Sequence, residues 1–220
     1  MRSKSIFISI CLIALYALCG CKNTEESIEY NAIGTIESQN SIIFDNDTII
    51  ANVISTMPTE YKVGDRIIVY FTIPIKSSGN SIDIEISRIQ KISTSPITTI
   101  NDYETDTTYN DPIIDIKRMW VSKNHLTIDF NYNAYDTSLH HFQLALKKIE
   151  NTSPDSIKLN FRHDAGSDEK GNKVRVLRSF NLSDIKPFER DTVIISVKTL
   201  FYAADTTTYK TQTFKIIDTH

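Results

Sequence analysis

The feature that most constrains the fold is an alternation of apolar and polar side chains with a period of two. In segment 81–87, Ile82, Ile84 and Ile86 lie on one face of the predicted strand, whereas acidic residues occupy the other. The same alternation recurs at residues 126–132, 142–146 and 157–161. Helical periodicity is weak throughout. The sequence therefore predicts an all-β protein.

A polar, acidic segment divides the predicted strands into two groups. Pro96 and Pro112 bracket this segment, which lacks periodicity. Before it lie about five predicted strands, a number typical of a small closed barrel such as the OB-fold. After it lie about seven, which favours a β-sandwich. We therefore predict an OB-like five-stranded barrel at 29–95, a linker at 96–107 and a seven-stranded β-sandwich at 108–220.

The N-terminal residues have the pattern of an export signal. Arg2 and Lys4 precede an almost purely apolar stretch at 6–18. This stretch is shorter than the roughly 20 apolar residues that a membrane-spanning helix needs. It ends in Leu18-Cys19-Gly20-Cys21, which resembles the lipobox of bacterial lipoproteins. The pattern predicts cleavage and lipid attachment at the second cysteine.

Lipid attachment at Cys21 would make the membrane a partner of the protein. Residues 1–20 are then the signal peptide, and 21–28 form a polar tether. We expect an outer-membrane lipoprotein of the cell envelope, on the periplasmic face or at the cell surface. The alternative is an ordinary secretory signal in which the cysteine occurs by chance.

Cysteine and charge content narrow the classes of function. Cys11 and Cys19 would leave with the signal peptide, so the mature domains would have no thiol for a disulfide, a metal site or a nucleophile. Loss of Arg2 and Lys4 would change the net charge from −3 to about −5. Nucleic acid is a poor candidate partner for such a chain, because its phosphates require basic contacts.

Enzyme motifs are not found in the sequence, which lacks a nucleophile elbow and a zinc-binding helix motif. Residues 166–173 have the glycine spacing of a phosphate loop, but Asn172 replaces the required lysine, and we predict a hairpin loop. A strand would place the neighbours His140 and His141 on opposite faces. His163 could begin a metal site, but nearby acids lack calcium-loop spacing, and a satisfied or solvated histidine is favoured. We expect no catalytic residues, no metal and no cofactor.

Aromatic residues give little indication of a ligand platform. Trp120, the only tryptophan, is predicted in the sandwich core, with a ligand-stacking role as the alternative. OB-folds often bind oligonucleotides or oligosaccharides. However, few positive charges accompany Tyr61, Tyr70 and Phe71, so core packing is the favoured interpretation.

Short motifs occur in a consistent order along nearly the whole chain. They are the lipobox ending at Cys21, Gly34-Thr35-Ile36, Val63 to Tyr70, Asp111-Pro112-Ile113 with Trp120, Leu159 to His163, and Ser179 to Ser183. Together they resemble the NigD-like lipoproteins of Bacteroidota, in which an OB domain precedes a β-sandwich. The resemblance implies an envelope location and, from a bacteriocin-associated gene cluster, a role in immunity. It implies no catalytic residues.

A recurring tripeptide resembles the O-glycosylation sequon of Bacteroidota, in which Asp precedes Ser or Thr and then a small aliphatic residue or Thr. The candidate acceptors lie at predicted turns, strand starts or the linker, and are Thr48, Thr107, Ser156, Thr192 and Thr206. The alternative is turn chemistry, since Asp and Thr favour strand entries for their own hydrogen bonds.

Three classes of function are compatible with these features. A non-enzymatic envelope protein that binds a protein partner, with bacteriocin immunity as one version, needs only a tethered scaffold. Glycan binding requires exposed aromatic side chains, whereas Phe130, Tyr132, Phe142 and Phe161 lie on the apolar register of strands. An enzyme is the weakest hypothesis, because no nucleophile, metal set or phosphate loop is evident. We therefore predict a binding or structural role, with glycan binding as the alternative.

Overall fold

The structure is a computed structural model, and it describes β-strands from residue 30 onward. The described residues are 28–45, 49–74, 81–100, 109, 111–147, 156–168, 171–185, 192–202 and 209–219. The strands within them are β1 (Tyr30–Ser38), β2 (Ser41–Phe44), β3 (Ile50–Val53), β4 (Arg66–Thr72), β5 (Ser81–Lys91), β6 (Ser93–Pro96), β7 (Thr98–Ile100), β8 (Asp115–Ser122), β9 (His125–Ala134), β10 (His141–Lys147), β11 (Ser156–Asp164), β12 (Asn172–Asn181), β13 (Thr192–Tyr202) and β14 (Tyr209–Thr219). The described ranges also contain one 3-10 turn, Thr137–Leu139. The all-β prediction is confirmed.

The first five strands close into a barrel in the order β1-β2-β3-β5-β4. All pairs are antiparallel except β3 with β5, which pair in parallel and close the barrel. Gly34 of β1 leaves no room for a side chain, because a Cβ there would lie 2.5 Å from the carbonyl oxygen of Ile43 in β2. Alternate residues of each strand fill the interior, among them Ile36, Ile42, Ala51, Ile67, Val69, Phe71 and Ile84.

The remaining strands form a sandwich of two sheets. Their orders are β14-β13-β11-β10-β7 and β6-β12-β9-β8. Between them lies an aromatic core in which Phe130, Tyr132 and Phe161 are almost wholly buried, as their strand register predicts. Phe142 is partly buried and packs against the same core.

Two features of the sandwich differ from the prediction. Residues 93–96 and 98–100, assigned from the sequence to the barrel and the linker, pair in parallel with β12 and β10. The described sandwich thus has nine strands, of which seven follow residue 108. The hairpin predicted at 166–173 is wrong, because β11 and β12, which flank it, lie in different sheets.

Strand β9 is buried on both faces. Leu126, Ile128 and Phe130 point into the sandwich, whereas the intervening Thr127 and Asp129 lie on the opposite face and are also almost wholly buried. Thr127 is hydrogen-bonded to a side chain of the barrel. The outer face of the four-stranded sheet is therefore the surface on which the barrel is seated.

Candidate functional site

A buried ion pair lies at the junction of the barrel and the sandwich. Arg66, the first residue of β4, is fully buried and forms a two-pronged ion pair with Asp45, which follows β2. The same guanidinium donates to Thr35 Oγ1 of the barrel and to Thr127 Oγ1 of the sandwich, each at 3.0 Å. Removing both charges from water costs free energy. The attraction between the carboxylate and the guanidinium offsets that cost only when additional hydrogen bonds of this kind are formed.

Trp120 extends this junction from the sandwich side. Its Nε1 donates to Asp45 Oδ2 at 2.8 Å. The side chain is half-buried on the outer face of the sheet, the same face as its cross-strand partner Thr127. The prediction that Trp120 lies in the sandwich core is wrong. Nearby, Lys123 pairs with Glu37 of β1. We call Asp45, Arg66, Trp120 and Thr127 the interdomain clasp.

His125 lies beside the clasp and is held neutral. Burial lowers its pKa to about 4, and the positive charge of Arg66 contributes in the same direction. Its Nδ1 is buried without a hydrogen-bond partner among the described residues. A proton on this ring would therefore add an unsolvated charge next to a guanidinium.

Acid should weaken the fold through His125. The pKa is about 4 in the folded protein, against 6.5 for an ordinary histidine. Between these values the unfolded chain binds a proton that the folded chain does not, so stability present above pH 6.5 is lost as the pH falls towards 4. Between pH 7 and pH 4.5 the expected loss is roughly 2 kcal/mol. Urea unfolding of the wild type and His125→Asn at about pH 7 and pH 4.5 measures it. We expect the free energy of unfolding to depend less on pH in the variant than in the wild type, and an equal dependence would contradict this assignment. His141→Asn, at an exposed histidine, is the control.

A second polar cluster lies at one end of the sandwich. The Nδ1 of His140 lies 2.8 Å from Nε2 of His163, and the Nε2 of His140 lies 3.3 Å from Asp168 Oδ2. The Nδ1 of His163 lies 3.3 Å from the carbonyl oxygen of Pro112. Both rings and the carboxylate are buried. We call this the histidine chain.

The hydrogen-bond directions in the histidine chain follow from its ends. The carbonyl of Pro112 can only accept, so His163 donates from Nδ1 and, when neutral, accepts at Nε2 from His140. Burial lowers the pKa of His163 to about 4, which keeps it neutral. Asp168 accepts from the backbone N–H of Asp136 at 2.6 Å, which holds the pKa of that carboxyl below its usual range. The histidine chain links three loops. Both ring nitrogens of His163 have hydrogen-bond partners, so the prediction of a satisfied His163 is confirmed.

Clefts border both domains. One cleft of about 410 Å³ lies between barrel residues such as Ile68 and Gln90 and the strands β8, β9 and β12. Another of about 480 Å³ lies at the end of the barrel and is lined by uncharged side chains, among them Gln39, Asn40 and Tyr61. Among the residues that the structure describes, no group of three or more His, Cys, Asp or Glu side chains could hold a metal ion.

The site residues predicted from the sequence fall mostly outside the described residues. Cys21, Thr48, Thr107 and Thr206 are of this kind. Ser156 begins β11, is partly buried and pairs with Ile194, and Thr192 begins the neighbouring strand β13. These two candidate acceptors thus come to the same end of the five-stranded sheet. In the described part of the chain, no helix is long and apolar enough to cross a membrane.

Several solved structures from Bacteroidota share this architecture. A candidate toxin-related protein of Parabacteroides distasonis superposes with a TM-score of 0.66 at 24% identity over 86% of this chain and 93% of that one. A candidate lipoprotein of Bacteroides fragilis gives 0.64 at 14%, covering 86% and 97%. A NigD-like immunity protein of Bacteroides caccae gives 0.60 at 17%, covering 86% and 96%. These likenesses show a shared fold over both domains.

A family model assigns the second domain. Residues 95–213, more than half of the chain, match the NigD-like C-terminal beta sandwich domain. The match begins within β6, the first strand of the sandwich. Among curated proteins none matches the chain. The resemblance inferred from the ordered motifs is confirmed, and the chain belongs to the NigD-like family.

Proposed function

We propose that this protein is a lipid-anchored component of the cell envelope that acts by binding a protein partner and not by catalysis. The lipobox ending at Cys21 supports the anchor. The candidate lipoprotein of Bacteroides fragilis, which shares the fold, supports the same location. The outer membrane is the proposed site, with the two domains on its periplasmic face or at the cell surface.

The observation that carries the binding role is that the ionisable groups of the interdomain clasp and of the histidine chain are engaged with one another. Arg66 and Asp45 pair with each other across the junction, and the histidine chain is closed by backbone and side-chain partners. These groups therefore hold the scaffold together and are not presented to a substrate. A barrel fixed on a sandwich in this way offers a preorganised binding surface, which lowers the entropic cost of association.

Bacteriocin immunity is the specific version of this role that we propose. The Bacteroides caccae protein with the same two-domain fold is described as a NigD-like immunity protein. An envelope-tethered binder could sequester an incoming bacteriocin or occupy the surface that it recognises. Neither step requires a catalytic group or a cofactor, and neither involves nucleic acid.

The proposal is tested in the native host with wild-type protein and Cys21→Ala. We expect the wild type in the membrane fraction with the added mass of lipid, and the variant in the soluble fraction without it. Deletion of the gene should sensitise the host to bacteriocins of related strains, and the wild type should restore protection better than the variant. A variant that stays membrane-bound with unchanged mass would refute the anchor, and unchanged sensitivity would refute immunity.

Glycan binding is a second candidate, favoured by the cleft at the barrel end. Its lining carries amide and hydroxyl groups, including those of Asn40, Ser55 and Thr59, beside the apolar Ile54 and Val63. Such neutral hydrogen-bonding groups suit sugar hydroxyls. A glycan array probed with residues 22–220 tests it, with Asn40→Ala as the matched variant. Strong hits lost in the variant, in the absence of a protein partner, would replace the first proposal.

O-glycosylation is a separate proposal that rests on the recurring tripeptide. We expect some of Thr48, Thr107, Ser156, Thr192 and Thr206 to carry glycans in the native host. The intact mass of the protein purified from that host is the measurement. A ladder of hexose additions that shortens when these residues become Ala is expected. A mass that corresponds to peptide and lipid alone would contradict modification.

A further inference from the structure

The four-stranded sheet leaves part of one strand unpaired at its edge. Strand β12 pairs with β9 along its whole length, from Asn172 to Asn181. On its other side, β6 pairs only with residues 178–181. Residues 172–177 therefore have no partner strand on that side among the described residues. The backbone groups directed towards this side are available to an extended peptide.

The cleft of about 410 Å³ at the domain junction runs along this unpaired edge. Its lining includes Val176 and Leu177 of β12 together with Ile68 and Ile92. The cleft therefore combines an unpaired strand edge with apolar side chains. A second chain lying along β12 would bury alternate side chains against them.

The charged residues of the cleft are mostly basic, although the whole chain carries a net charge of −3. Lys91, Arg118, Arg175 and Arg178 line it, and Asp129 is the one acidic side chain among the described residues of the lining. Arg175 holds Asp129 with two hydrogen bonds, and Arg118 lies 3.5 Å from the same carboxylate. Their side chains are 62% and 61% exposed, so both guanidinium groups keep donors free for another acceptor.

Arg178 adds a cation on the inner face of β12, beside its cross-strand partner Ile128, and it has no carboxylate partner among the described residues. Its side chain is partly buried, its guanidinium lies 5.4 Å from the centre of the Phe142 ring, and its Nε is buried with no hydrogen-bond partner among the described residues. Desolvation lowers the pKa of this group. A carboxylate that approaches this guanidinium would give a poorly solvated cation a charged partner.

We propose that the unpaired edge of β12 and its cleft bind an extended acidic segment of a protein partner by strand addition. The main chain of the partner would pair with residues 172–177, and its side chains would alternate between the two faces of the sheet. Carboxylates on the outer face would accept hydrogen bonds from Arg118 and Arg175, and one on the inner face would meet Arg178. This inference rests on the binding role proposed above and names the chemistry of the partner. Charge complementarity selects an acidic peptide over a neutral or basic one.

The test uses purified residues 22–220 and a fluorescent octapeptide, Glu-Glu-Val-Glu-Glu-Val-Glu-Glu, which as an extended strand presents carboxylates to both faces of the sheet. We expect saturable binding that weakens with salt, and increased amide protection of residues 172–177 in hydrogen exchange. Arg178→Met should weaken binding about tenfold, or about 1.4 kcal/mol, which is the size of one hydrogen bond to a charged group. Arg118→Gln should weaken it severalfold. Lys198→Met, an exposed lysine on the other sheet, is the matched control and should have no effect.

Several outcomes would overturn the inference. A peptide with Lys in place of Glu that binds equally well would remove the acidic requirement. Succinate that binds as tightly as the peptide, without protecting residues 172–177, would make the cleft a small-anion site. Dimerisation that protects the same amides would assign the edge to a second copy. If the native partner co-purifies but the octapeptide does not bind, this inference fails while the binding role stands.

Discussion

Replacement of Asp45 by Ala is expected to lower the free energy of unfolding by about 3–5 kcal/mol, because it leaves the buried charge of Arg66 without a counter-ion. The side chains of Asp45 and Arg66 are 2% and 0% exposed. The substitution also removes the acceptor for Trp120 Nε1. Urea unfolding followed by circular dichroism is the measurement, and Asp45→Asn, which keeps the shape, provides a milder variant if the first does not fold.

The double variant Asp45→Ala with Arg66→Met distinguishes a buried pair from a general packing defect. Removing both charges should restore much of the lost stability, since an apolar replacement of a buried pair is often neutral. Lys123→Ala is the matched control, because its partner Glu37 is 50% exposed and such pairs contribute at most about 1 kcal/mol. An Asp45→Ala variant that loses no more than this control would show that the clasp does not hold the domains.

Phe130→Ala should cost about 3–5 kcal/mol through loss of buried surface and formation of a cavity. Phe130 is fully buried, and its ring centre lies 4.8 Å from that of Phe142 and 4.9 Å from that of Phe161. These contacts join the two sheets of the sandwich. Thermal and urea unfolding give the effect. Tyr135→Ala, with a residue 77% exposed, is the control and should stay within about 0.5 kcal/mol. A Phe130→Ala variant as stable as this control would contradict the described core.

The strands that could be predicted from the sequence are those whose burial has a local signature. Segment 81–87 alternates because one face of β5 meets the barrel core, and the aromatic residues of β9 follow the same rule. Strands β6 and β7 have no such signature. They are short, rich in Ser and Thr, and paired with strands far away in the sequence. The parallel pairing of β3 with β5 is similarly set by barrel closure and not by local pattern.

The interdomain clasp could not be predicted from the sequence for a related reason. An arginine that opens the apolar strand β4 indicates a buried charge, and this was the one available signal. Its partner Asp45 lies 21 residues earlier, and Trp120 lies 75 residues after that aspartate. Nothing in the spacing connects them. The alternation along β9 correctly places Trp120's neighbour Thr127 opposite the core, but the barrel that covers this face comes from a separate domain.

The binding role is tested most directly by purification of the tagged full-length protein from envelope membranes of its native host. Mass spectrometry quantifies every co-purified protein, and the same eluate is assayed for turnover of envelope polysaccharide, peptidoglycan and protein. We expect one protein partner in near-stoichiometric amount and no turnover above that of a mock purification. Recovery of the protein alone, together with turnover that depends on it, would contradict a non-enzymatic binding role.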